Sequence, residues 1–371
     1  MSEMKARKLV FVGGGTAGHI YPTLAVATAL RELLPEAEFY YAISEDGPER
    51  DLVDWKEFKR LEINAARTPL KKSGYPAFAL KNTQGVLSAR RVLKKLRPDL
   101  VFAGGGFVSA PLLAAAQSLG IASYLHEQNA IPGRVTRLFS KKAKAVFTSF
   151  PGTESAFPAG CKIRYTGNPV RGEFFKAERS ACRKQLGIQA KESWLLVLGG
   201  SLGAKALNDC IAALPETAGW SEFKQRHPGF RIMLVSGLVN SRIFKAEFAE
   251  DEIISASNYV DSKLWIPASD LVLGRAGASI LMELAACQKP AIIVPFPEAA
   301  NAHQDANAEL FKKNDAAIVL QQDKLSPQAL LNLLDELLKD QERRAILSQN
   351  IASLAKLNAA KEIADIVVKE L

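Results

Sequence analysis

Cysteine is scarce in this sequence and follows no pattern. Only four of the 371 residues are cysteines, and none belongs to a C-x-x-C pair or has a histidine at ligand spacing. A disulfide framework and a structural zinc site are therefore disfavoured, and a reducing cytoplasm is the expected setting. The four are Cys161, Cys182, Cys210 and Cys287.

Two further signals are missing. No two aspartates stand two residues apart, so the Asp-x-Asp pair that holds a divalent cation in many sugar-nucleotide enzymes does not occur. We therefore predict no bound metal and no cofactor. The N-terminus runs from a few charges directly into an apolar strand, without the apolar core and cleavage site of a signal peptide, and no export signal is expected.

Asp, Glu, Lys and Arg are all absent from residues 100–126. A membrane-spanning helix needs about 20 apolar residues, so this run is long enough to span. However, three consecutive glycines at 104–106, Pro111 and Gly120 interrupt it. We interpret the run as a buried βαβ unit, and we expect that the chain does not cross a membrane.

Acidic residues are also absent from residues 65–97, which contain nine basic ones. The whole chain carries a net charge of +9, so this segment accounts for all of it. A solvated helix face and an anionic partner both fit such a run. Because aromatic and aliphatic residues lie between the basic ones, we favour an anionic membrane surface and expect no nucleic acid. The predicted membrane patch consists of Lys71, Lys72, Tyr75, Phe78, Arg90, Arg91, Lys94 and Lys95.

Short apolar runs alternate with helical patterns along the chain, which is typical of parallel sheets flanked by helices. At roughly 100–200 residues per domain, the length predicts two domains. We expect an α/β fold with two doubly wound sheets, joined at the turn-rich residues 166–172, and two or three amphipathic helices after Ser326. The predicted strands are 8–12, 38–42, 99–103, 121–125 and 145–148, then 194–198, 231–236, 271–274, 291–295 and 316–320.

Three glycine-rich loops follow predicted strands and precede helices, at residues 13–19, 104–109 and 199–204. Glycines let a backbone approach a ligand closely, and the start of the next helix favours an anion, so these loops indicate phosphate binding. The first loop, with its helix expected from about Pro22, also fits G-x-G-x-x-G. A dinucleotide site would need an acid about 20 residues further on, at a strand end. The nearest, Glu45 and Asp46, lie later and in a predicted loop.

Seven segments make a more specific pattern. They are GGGTAGHIYP (13–22), GGGFVSAP (104–111), HEQN (126–129), GNPVR (167–171), GGSLGA (199–204), GRAGASILME (274–283) and HQDANA (303–308). In this order they closely resemble the MurG family, the UDP-N-acetylglucosamine:lipid I N-acetylglucosaminyltransferases of bacterial peptidoglycan synthesis. The resemblance covers the chain from Lys8 to about Ala308.

The resemblance implies a GT-B fold, in which two Rossmann-like domains face a cleft. It implies an acceptor and membrane-associating domain over residues 1–168, a UDP-GlcNAc-binding domain over 169–349, and a C-terminal helix of about 350–371 that packs back on the first. The expected reaction joins GlcNAc to the 4-hydroxyl of the MurNAc unit of lipid I by a β-1,4 linkage, with inversion and without metal, giving lipid II. The expected location is peripheral, on the cytoplasmic face of the plasma (inner) membrane, where other cell-wall or division proteins are conceivable partners.

The resemblance also carries site residues over by position. Glu283 corresponds to the acid that binds the ribose hydroxyls, Ser201 to a diphosphate ligand and Gln304 to a reader of the sugar hydroxyls. The remaining expected donor contacts are Thr16, Ala17, Gly18, Asn129, Arg171, Val260, Ala278, Ser279, Ile280, Leu281 and Met282. The expected acceptor-diphosphate contacts are Gly14, Gly15, Gly104, Gly105 and Gly106.

His19 is the expected general base, because its unperturbed pKa of about 6.5 suits proton transfer near neutral pH. The alternative role of His19 is structural, with a ring that only packs and hydrogen-bonds behind the glycine loop. Glu127 is the alternative base, or else a structural buried acid. The family usually has Gly where Ala17 stands and Ser where Ala276 stands, which affects the contacts expected at those two positions.

Other functions stay open at this point. A UDP-GlcNAc 2-epimerase or a glycolipid synthase would share the fold and the nucleotide site. An NAD-dependent oxidoreductase would need the missing ribose-binding acid after the second strand. A non-catalytic membrane-binding module would keep the basic patch and release no UDP.

Overall fold

The computed structural model describes residues 6–44, 47, 49–69, 71–200, 203–237 and 253–371. The chain forms two compact units. Unit 1 comprises the chain up to Arg171 together with Lys356–Leu371, and unit 2 is Gly172–Ala355. The first division lies three residues after the predicted position 168, and the chain returns to unit 1 six residues after the predicted position 350.

Unit 1 is built on a seven-stranded sheet in which every pairing is parallel. The spatial order is β3-β2-β1-β4-β5-β6-β7, so the winding reverses between β1 and β4. In open α/β sheets ligands bind beyond the carboxyl ends of the strands at such a reversal. The strands are β1 (Lys8–Val12), β2 (Glu38–Ile43), β3 (Lys59–Glu62), β4 (Leu100–Ala103), β5 (Ala122–Glu127), β6 (Ala145–Thr148) and β7 (Ile163–Tyr165).

Helices cover both faces of this sheet, and each face has its own apolar core. An aromatic row crosses one face, where Phe11 stacks on Phe39 at 5.7 Å and Phe102 on Phe147 at 6.3 Å between ring centroids. The helices are α1 (Ala17–Leu33), α2 (Glu49–Leu52), α3 (Tyr75–Leu96), α4 (Ser109–Ser118) and α5 (Arg134–Phe139).

Unit 2 repeats the plan with a six-stranded parallel sheet in the order β10-β9-β8-β11-β12-β13. Its winding reverses between β8 and β11. The strands are β8 (Ser193–Leu198), β9 (Phe230–Val235), β10 (Ile254–Ser257), β11 (Leu271–Gly274), β12 (Ala291–Ile293) and β13 (Ile318–Val319). The described helices are α6 (Gly172–Lys176), α7 (Arg179–Gln185), α8 (Lys205–Ala212), α9 (Trp220–Arg226), α10 (Ser262–Ala268), α11 (Ala278–Ala286), α12 (His303–Lys313), α13 (Pro327–Lys339) and α14 (Gln341–Ser353).

The last helix, α15 (Ala359–Glu370), belongs to unit 1. Its buried residues Ile363 and Val367 join the core that also contains Ile20 and Leu30 of α1. Glu370 accepts a hydrogen bond from the Arg164 guanidinium at 2.9 Å. The tail forms three helices, where the sequence predicts two or three, and the last of them packs against the first sheet.

All ten predicted strands are present, with ends that differ by at most two residues. The predictions missed three strands, β3, β7 and β10, and each lies at an edge of its sheet. Strand β3 (KRLE) is mostly exposed, so it has no apolar run to mark it. The charge-free run of residues 100–126 forms β4, α4 and β5, as predicted. Within the described residues, no helix has the length and apolar character that a membrane span requires.

The expected start of the first helix was wrong. The helix begins at Ala17, not near Pro22, which lies inside it. Proline is favoured in the first turn of a helix, so it suggests a start where there is none. The earlier start brings His19 into the first turn.

Candidate functional site

The first two glycine loops meet where the first sheet reverses its winding. The Gly14 N–H donates to the Gly105 carbonyl at 3.4 Å. Gly106 has a φ of 82°, and a Cβ there would lie 2.0 Å from the Gly14 carbonyl oxygen. Only glycine allows this approach. The two predicted phosphate loops thus form one continuous surface.

His19 lies at this surface, half-buried in the first turn of α1. Its Nδ1 is 2.8 Å from the Thr16 hydroxyl oxygen. Its Cδ2–Nε2 edge faces the second loop, because a Cβ on Gly105 would lie 3.2 Å from Cδ2 and 3.7 Å from Nε2. When Nδ1 carries the proton and donates it to Thr16, Nε2 is the basic nitrogen.

His126 is a second histidine nearby, and its environment is the opposite. The ring is fully buried at the end of β5, with Nε2 3.1 Å from the Ser149 hydroxyl oxygen. Burial, with a smaller contribution from the charge of His19, lowers the pKa of His126 to about 3. His126 is therefore neutral at physiological pH and places no competing positive charge beside His19.

Glu127 holds the loop between β5 and α5. Its Oε1 accepts from the Asn129 backbone N–H at 3.0 Å, and its Oε2 accepts from the Gly133 N–H at 2.8 Å. Burial raises the pKa of Glu127, while these hydrogen bonds oppose the shift. Both carboxyl oxygens are engaged with the loop, so the geometry is that of a structural acid.

The other predicted residues of unit 1 lie on α1, in the β5–α5 loop and at the end of the unit. Ala17 is the first residue of the helix and has no positive φ, so its methyl group replaces glycine without strain. The Asn129 side chain donates to Glu127 at 3.2 Å, which ties it to the β5–α5 loop. The Arg171 guanidinium lies 4.0 Å above the ring of Tyr21 on α1.

In unit 2 the third glycine loop follows β8, beside β11. Ser201 lies outside the described residues. Gly203 has a φ of 83°, and a Cβ there would lie 2.1 Å from the Ser236 carbonyl oxygen. The Asn208 side chain on α8 donates to that same oxygen at 3.0 Å. Gly203 thus lies close to the end of β9.

The segment between β11 and α11 is anchored by residues on both sides. The buried Arg275 guanidinium donates to the carbonyls of Val294 and Pro295 at 3.1 and 3.2 Å. The Asn307 side chain donates to the Ala276 carbonyl at 3.0 Å. The predictions gave no role to Arg275 or Asn307, although both lie in the segments that carry the family resemblance.

Gln304 has a specific structural task in the same place. Its Oε1 accepts from the Ala276 N–H at 3.2 Å and from the Phe296 N–H at 3.0 Å. One side-chain oxygen thus joins the loops that follow β11 and β12. Because Oε1 is engaged in these two hydrogen bonds, a contact of Gln304 with a sugar would be made by its amide nitrogen.

The predicted residues on α11 fall into two groups. Ala278, Ser279 and Ile280 form the first turn, at the end of the helix where its dipole favours negative charge. Leu281 and Met282 are buried, and the Leu281 N–H already bonds to the Gly277 carbonyl. The first turn is therefore the part of this helix that favours an anion.

Glu283 lies one turn further along α11 and is only 8% exposed. Val260 is half-buried, next to Asp261, whose side chain caps α10 by accepting from the Lys263 N–H at 3.0 Å.

Helix α3 carries most of the predicted membrane patch. Of its 22 residues only Gly85, Ala89 and Leu93 are buried. Leu80 and Leu87 are 60% and 51% exposed, and their seven-residue spacing places them on one face. Phe78 is half-buried and packs edge-on against Tyr75. The other members of the patch, Lys71, Lys72, Arg90, Arg91, Lys94 and Lys95, are all exposed.

Comparison with known proteins adds independent findings. Residues 9–148 match the glycosyltransferase family 28 N-terminal domain, and residues 194–366 match the glycosyltransferase family 28 C-terminal domain. The UDP-N-acetylglucosamine--N-acetylmuramyl-(pentapeptide) pyrophosphoryl-undecaprenol N-acetylglucosamine transferase of Moorella thermoacetica is 34% identical over 98% of each chain.

Solved structures with the same architecture include the crystal structure of Acinetobacter baumannii MurG. That structure has a TM-score of 0.74 and 28% identity, and it covers 98% of this chain and 99% of its own. The UDP-GlcNAc 2-epimerase of Neisseria meningitidis, bound to UDP-GlcNAc, has a TM-score of 0.68 over 98% of this chain and 100% of its own. Its 15% identity indicates a shared fold and no more.

Proposed function

The chain belongs to glycosyltransferase family 28, and from this membership we propose that it transfers GlcNAc from UDP-GlcNAc to the 4-hydroxyl of the MurNAc unit of lipid I, giving lipid II. The observation that carries the proposal is the similarity to the Moorella enzyme, which extends over 98% of both chains. The glycine loops and the α11 segment are where ligand-binding residues are expected in two doubly wound sheets.

Unit 1 is proposed to bind the acceptor. Gly14, Gly15 and Gly104–Gly106 offer a backbone surface without side chains, beside the start of α1, which suits a diphosphate. Thr16, Ala17, Gly18 and Asn129 stay proposed contacts of the donor, as the family resemblance implies. His19 is proposed as the general base, with Thr16 orienting its ring, and Glu127 as the residue that positions the β5–α5 loop.

Unit 2 is proposed to bind the donor. The first turn of α11 supplies N–H donors for a phosphate, and Glu283 would accept from the ribose hydroxyls. An ionised carboxylate accepts hydrogen bonds from hydroxyl groups, which suits this role for Glu283. Ser201, Val260 and Gln304 complete the proposed donor contacts of this unit, and Arg171 of unit 1 stays a proposed donor contact.

The proposed reaction is a single displacement with inversion. The acceptor hydroxyl oxygen attacks the anomeric carbon while the bond from that carbon to the phosphate oxygen breaks. The electron pair of this bond leaves with UDP, and the hydroxyl proton passes to His19 Nε2. Charge develops on the leaving diphosphate, where helix N–H groups and Arg171 would stabilise it without a metal.

The proposal is tested by supplying UDP-GlcNAc and a lipid I analogue to the purified protein in excess EDTA. We expect release of UDP and formation of a disaccharide-lipid in equal amounts. Formation of free ManNAc and UDP, or of UDP-ManNAc, without acceptor would instead identify an epimerase. Activity that appears only after Mg²⁺ or Mn²⁺ is added would contradict the metal-independent mechanism.

Peripheral attachment to the inner face of the plasma membrane is a further part of the proposal. It is supported by the exposed leucines and basic residues of α3, which combine apolar contact with attraction to anionic lipids.

A further inference from the structure

Both polar backbone groups of one residue in the first glycine loop, its N–H and its carbonyl, are held by charged side chains. The Gly15 N–H donates to Glu49 Oε1 at 2.9 Å, and Arg67 Nη2 donates to the Gly15 carbonyl oxygen at 3.3 Å. Gly15 has a φ of 88°, in the region that favours glycine. Because glycine has wide conformational freedom, its backbone needs outside contacts to hold one conformation. The two side chains come from later parts of the chain, so tertiary structure alone creates this arrangement.

The Glu49 side chain packs against the first glycine loop. It is fully buried at the start of α2. A Cβ on Gly14 would lie 2.1 Å from its Oε1, and a Cβ on Gly47 would lie 1.6 Å from its Oε2. Glycines on both sides therefore make room for the carboxyl group. Burial raises the pKa of Glu49, and the charges of Arg67 and Arg50 oppose that shift.

Arg67 joins the first loop to the second. Its guanidinium lies 5.1 Å from the centre of the Phe107 ring, which follows Gly106. Phe107 also packs close to Gly15, because a Cβ there would lie 2.9 Å from the ring carbon Cε1. Arg67 and Phe107, with Lys81 of α3, line a cavity of about 330 Å³ beside the loop. The positive charge of Arg67 offsets the carboxylate of Glu49 where an anion would approach.

The backbone conformation of Gly15 has a direct consequence for His19. Thr16 follows Gly15, and the Thr16 hydroxyl contacts His19 Nδ1 at 2.8 Å. A change in the backbone dihedral angles of Gly15 would move Thr16 and remove the group that sets the direction of the ring. It would also turn the loop N–H groups away from a bound phosphate.

We propose that Glu49 and Arg67 are positioning residues for transfer, because together they fix the backbone conformation of Gly15 and through it the acceptor loop and His19. The proposal rests on the acceptor role given above to the first loop. Neither residue takes part in the chemical step. A geometric error of about 1 Å in such a site costs on the order of 100-fold in rate, so the effect should be measurable.

The test compares matched pairs of variants in the full chain. Glu49→Ala removes the acceptor for the Gly15 N–H, and Glu49→Gln retains an oxygen that can accept it. Glu62→Ala is the control, since Glu62 is an exposed glutamate that pairs with Arg50. Arg67→Ala is matched by Arg60→Ala, because Arg60 also lies over an aromatic ring, that of Trp55, at 4.3 Å.

We expect Glu49→Ala and Arg67→Ala to lower kcat/KM for the lipid acceptor by roughly 10- to 100-fold. Circular dichroism and the dissociation constant of UDP, whose proposed ligands include Glu283 of unit 2, should stay unchanged, which a general loss of structure would not allow. Glu49→Gln should recover most of the activity, and both controls should resemble the unmodified protein. The proposal is overturned if the two alanine variants match their controls, or if Glu49→Gln is as impaired as Glu49→Ala.

Amide hydrogen exchange of residues 13–19 provides a readout without substrate. Arg67 is exposed, so Arg67→Ala should fold even if Glu49→Ala does not. We expect faster exchange of this segment in Arg67→Ala than in Arg60→Ala, and equal exchange would contradict the proposal. If the unmodified protein transfers no sugar, the proposed function fails, while the exchange result still decides whether Glu49 and Arg67 hold the loop.

Discussion

The chemistry available to each residue follows from its immediate partners. His19 and His126 lie near each other. His19 is half-buried beside the glycine loops, whereas His126 is fully buried. A histidine that acts as a general base needs a nitrogen that can gain and lose a proton near neutral pH. The pKa of His126, lowered to about 3 by burial, excludes it as a base at that pH. Of the two, His19 remains the candidate.

A crossed pair of substitutions separates the proposed base from the proposed donor ligand. His19→Ala should lower kcat by roughly 100-fold or more, the usual contribution of a general base, with donor affinity unchanged. Glu283→Ala should weaken UDP-GlcNAc binding far more than it slows turnover at saturating donor. Isothermal titration with UDP-GlcNAc and steady-state kinetics measure the two quantities.

Each variant serves as the control for the other. His227→Ala is a further control. His227 pairs with Asp335, so its removal should have no effect on turnover. Near-normal kcat in His19→Ala with saturating acceptor would remove His19 as the base. An unchanged donor dissociation constant in Glu283→Ala would remove Glu283 from the donor site.

At the scale of elements, α1 shows how local signals and packing compete. Pro22 lacks the N–H that would bond to the Gly18 carbonyl, so an isolated chain favours a start at this residue. In the folded chain the Thr23 hydroxyl donates to the His19 carbonyl at 2.8 Å, and Ile20 and Val26 enter the core. Packing therefore extends the helix towards the glycine loop.

Helix α15 should contribute measurably to the stability of unit 1. Ile363 is fully buried in the core shared with α1, and truncation of such a residue to alanine costs about 2–5 kcal/mol. We expect Ile363→Ala to lower the free energy of unfolding in that range, measured by urea denaturation. Leu357→Ala is the control, because Leu357 is 62% exposed and should change stability by at most about 0.5 kcal/mol. Equal stability of the two variants would show that the helix does not support the core.

At the scale of the whole molecule, positive charge is concentrated in one segment of the chain. Residues 65–97 carry all of the net +9, and α3 presents most of that charge at an exposed surface with two leucines. Each basic residue near an anionic bilayer contributes about 1 kcal/mol, and salt screens the attraction. Membrane affinity should therefore depend on where the charge lies and not only on its sum.

Replacing six basic residues of the membrane patch by glutamine should release the protein from vesicles that contain anionic lipid. The matched control replaces six exposed lysines of unit 2 and changes the net charge equally. Sedimentation with vesicles should show at least about tenfold weaker binding for the first variant only. Equal binding of both variants would show that the patch is a solvated surface. The patch set is Lys71, Lys72, Arg90, Arg91, Lys94 and Lys95, and the control set is Lys184, Lys191, Lys224, Lys312, Lys313 and Lys324.

Much of the fold was predictable because buried strands of a parallel sheet are apolar throughout, and periodicity reveals such runs. All ten strands predicted in this way are present, while β3, β7 and β10 escaped because an edge strand is covered less and need not be apolar. The glycine loops could also be predicted, since close backbone approach requires glycine wherever it occurs in the chain.

The amino-acid order alone thus determined the two parallel sheets, the glycine loops beyond them and the family. Only the tertiary structure decided which atoms hold those loops. Glu49 and Arg67 meet Gly15, and Gln304 joins Ala276 to Phe296, across separations that no local pattern encodes. Periodicity reports burial along one element, whereas a hydrogen bond between distant residues exists only once the sheets have brought them together.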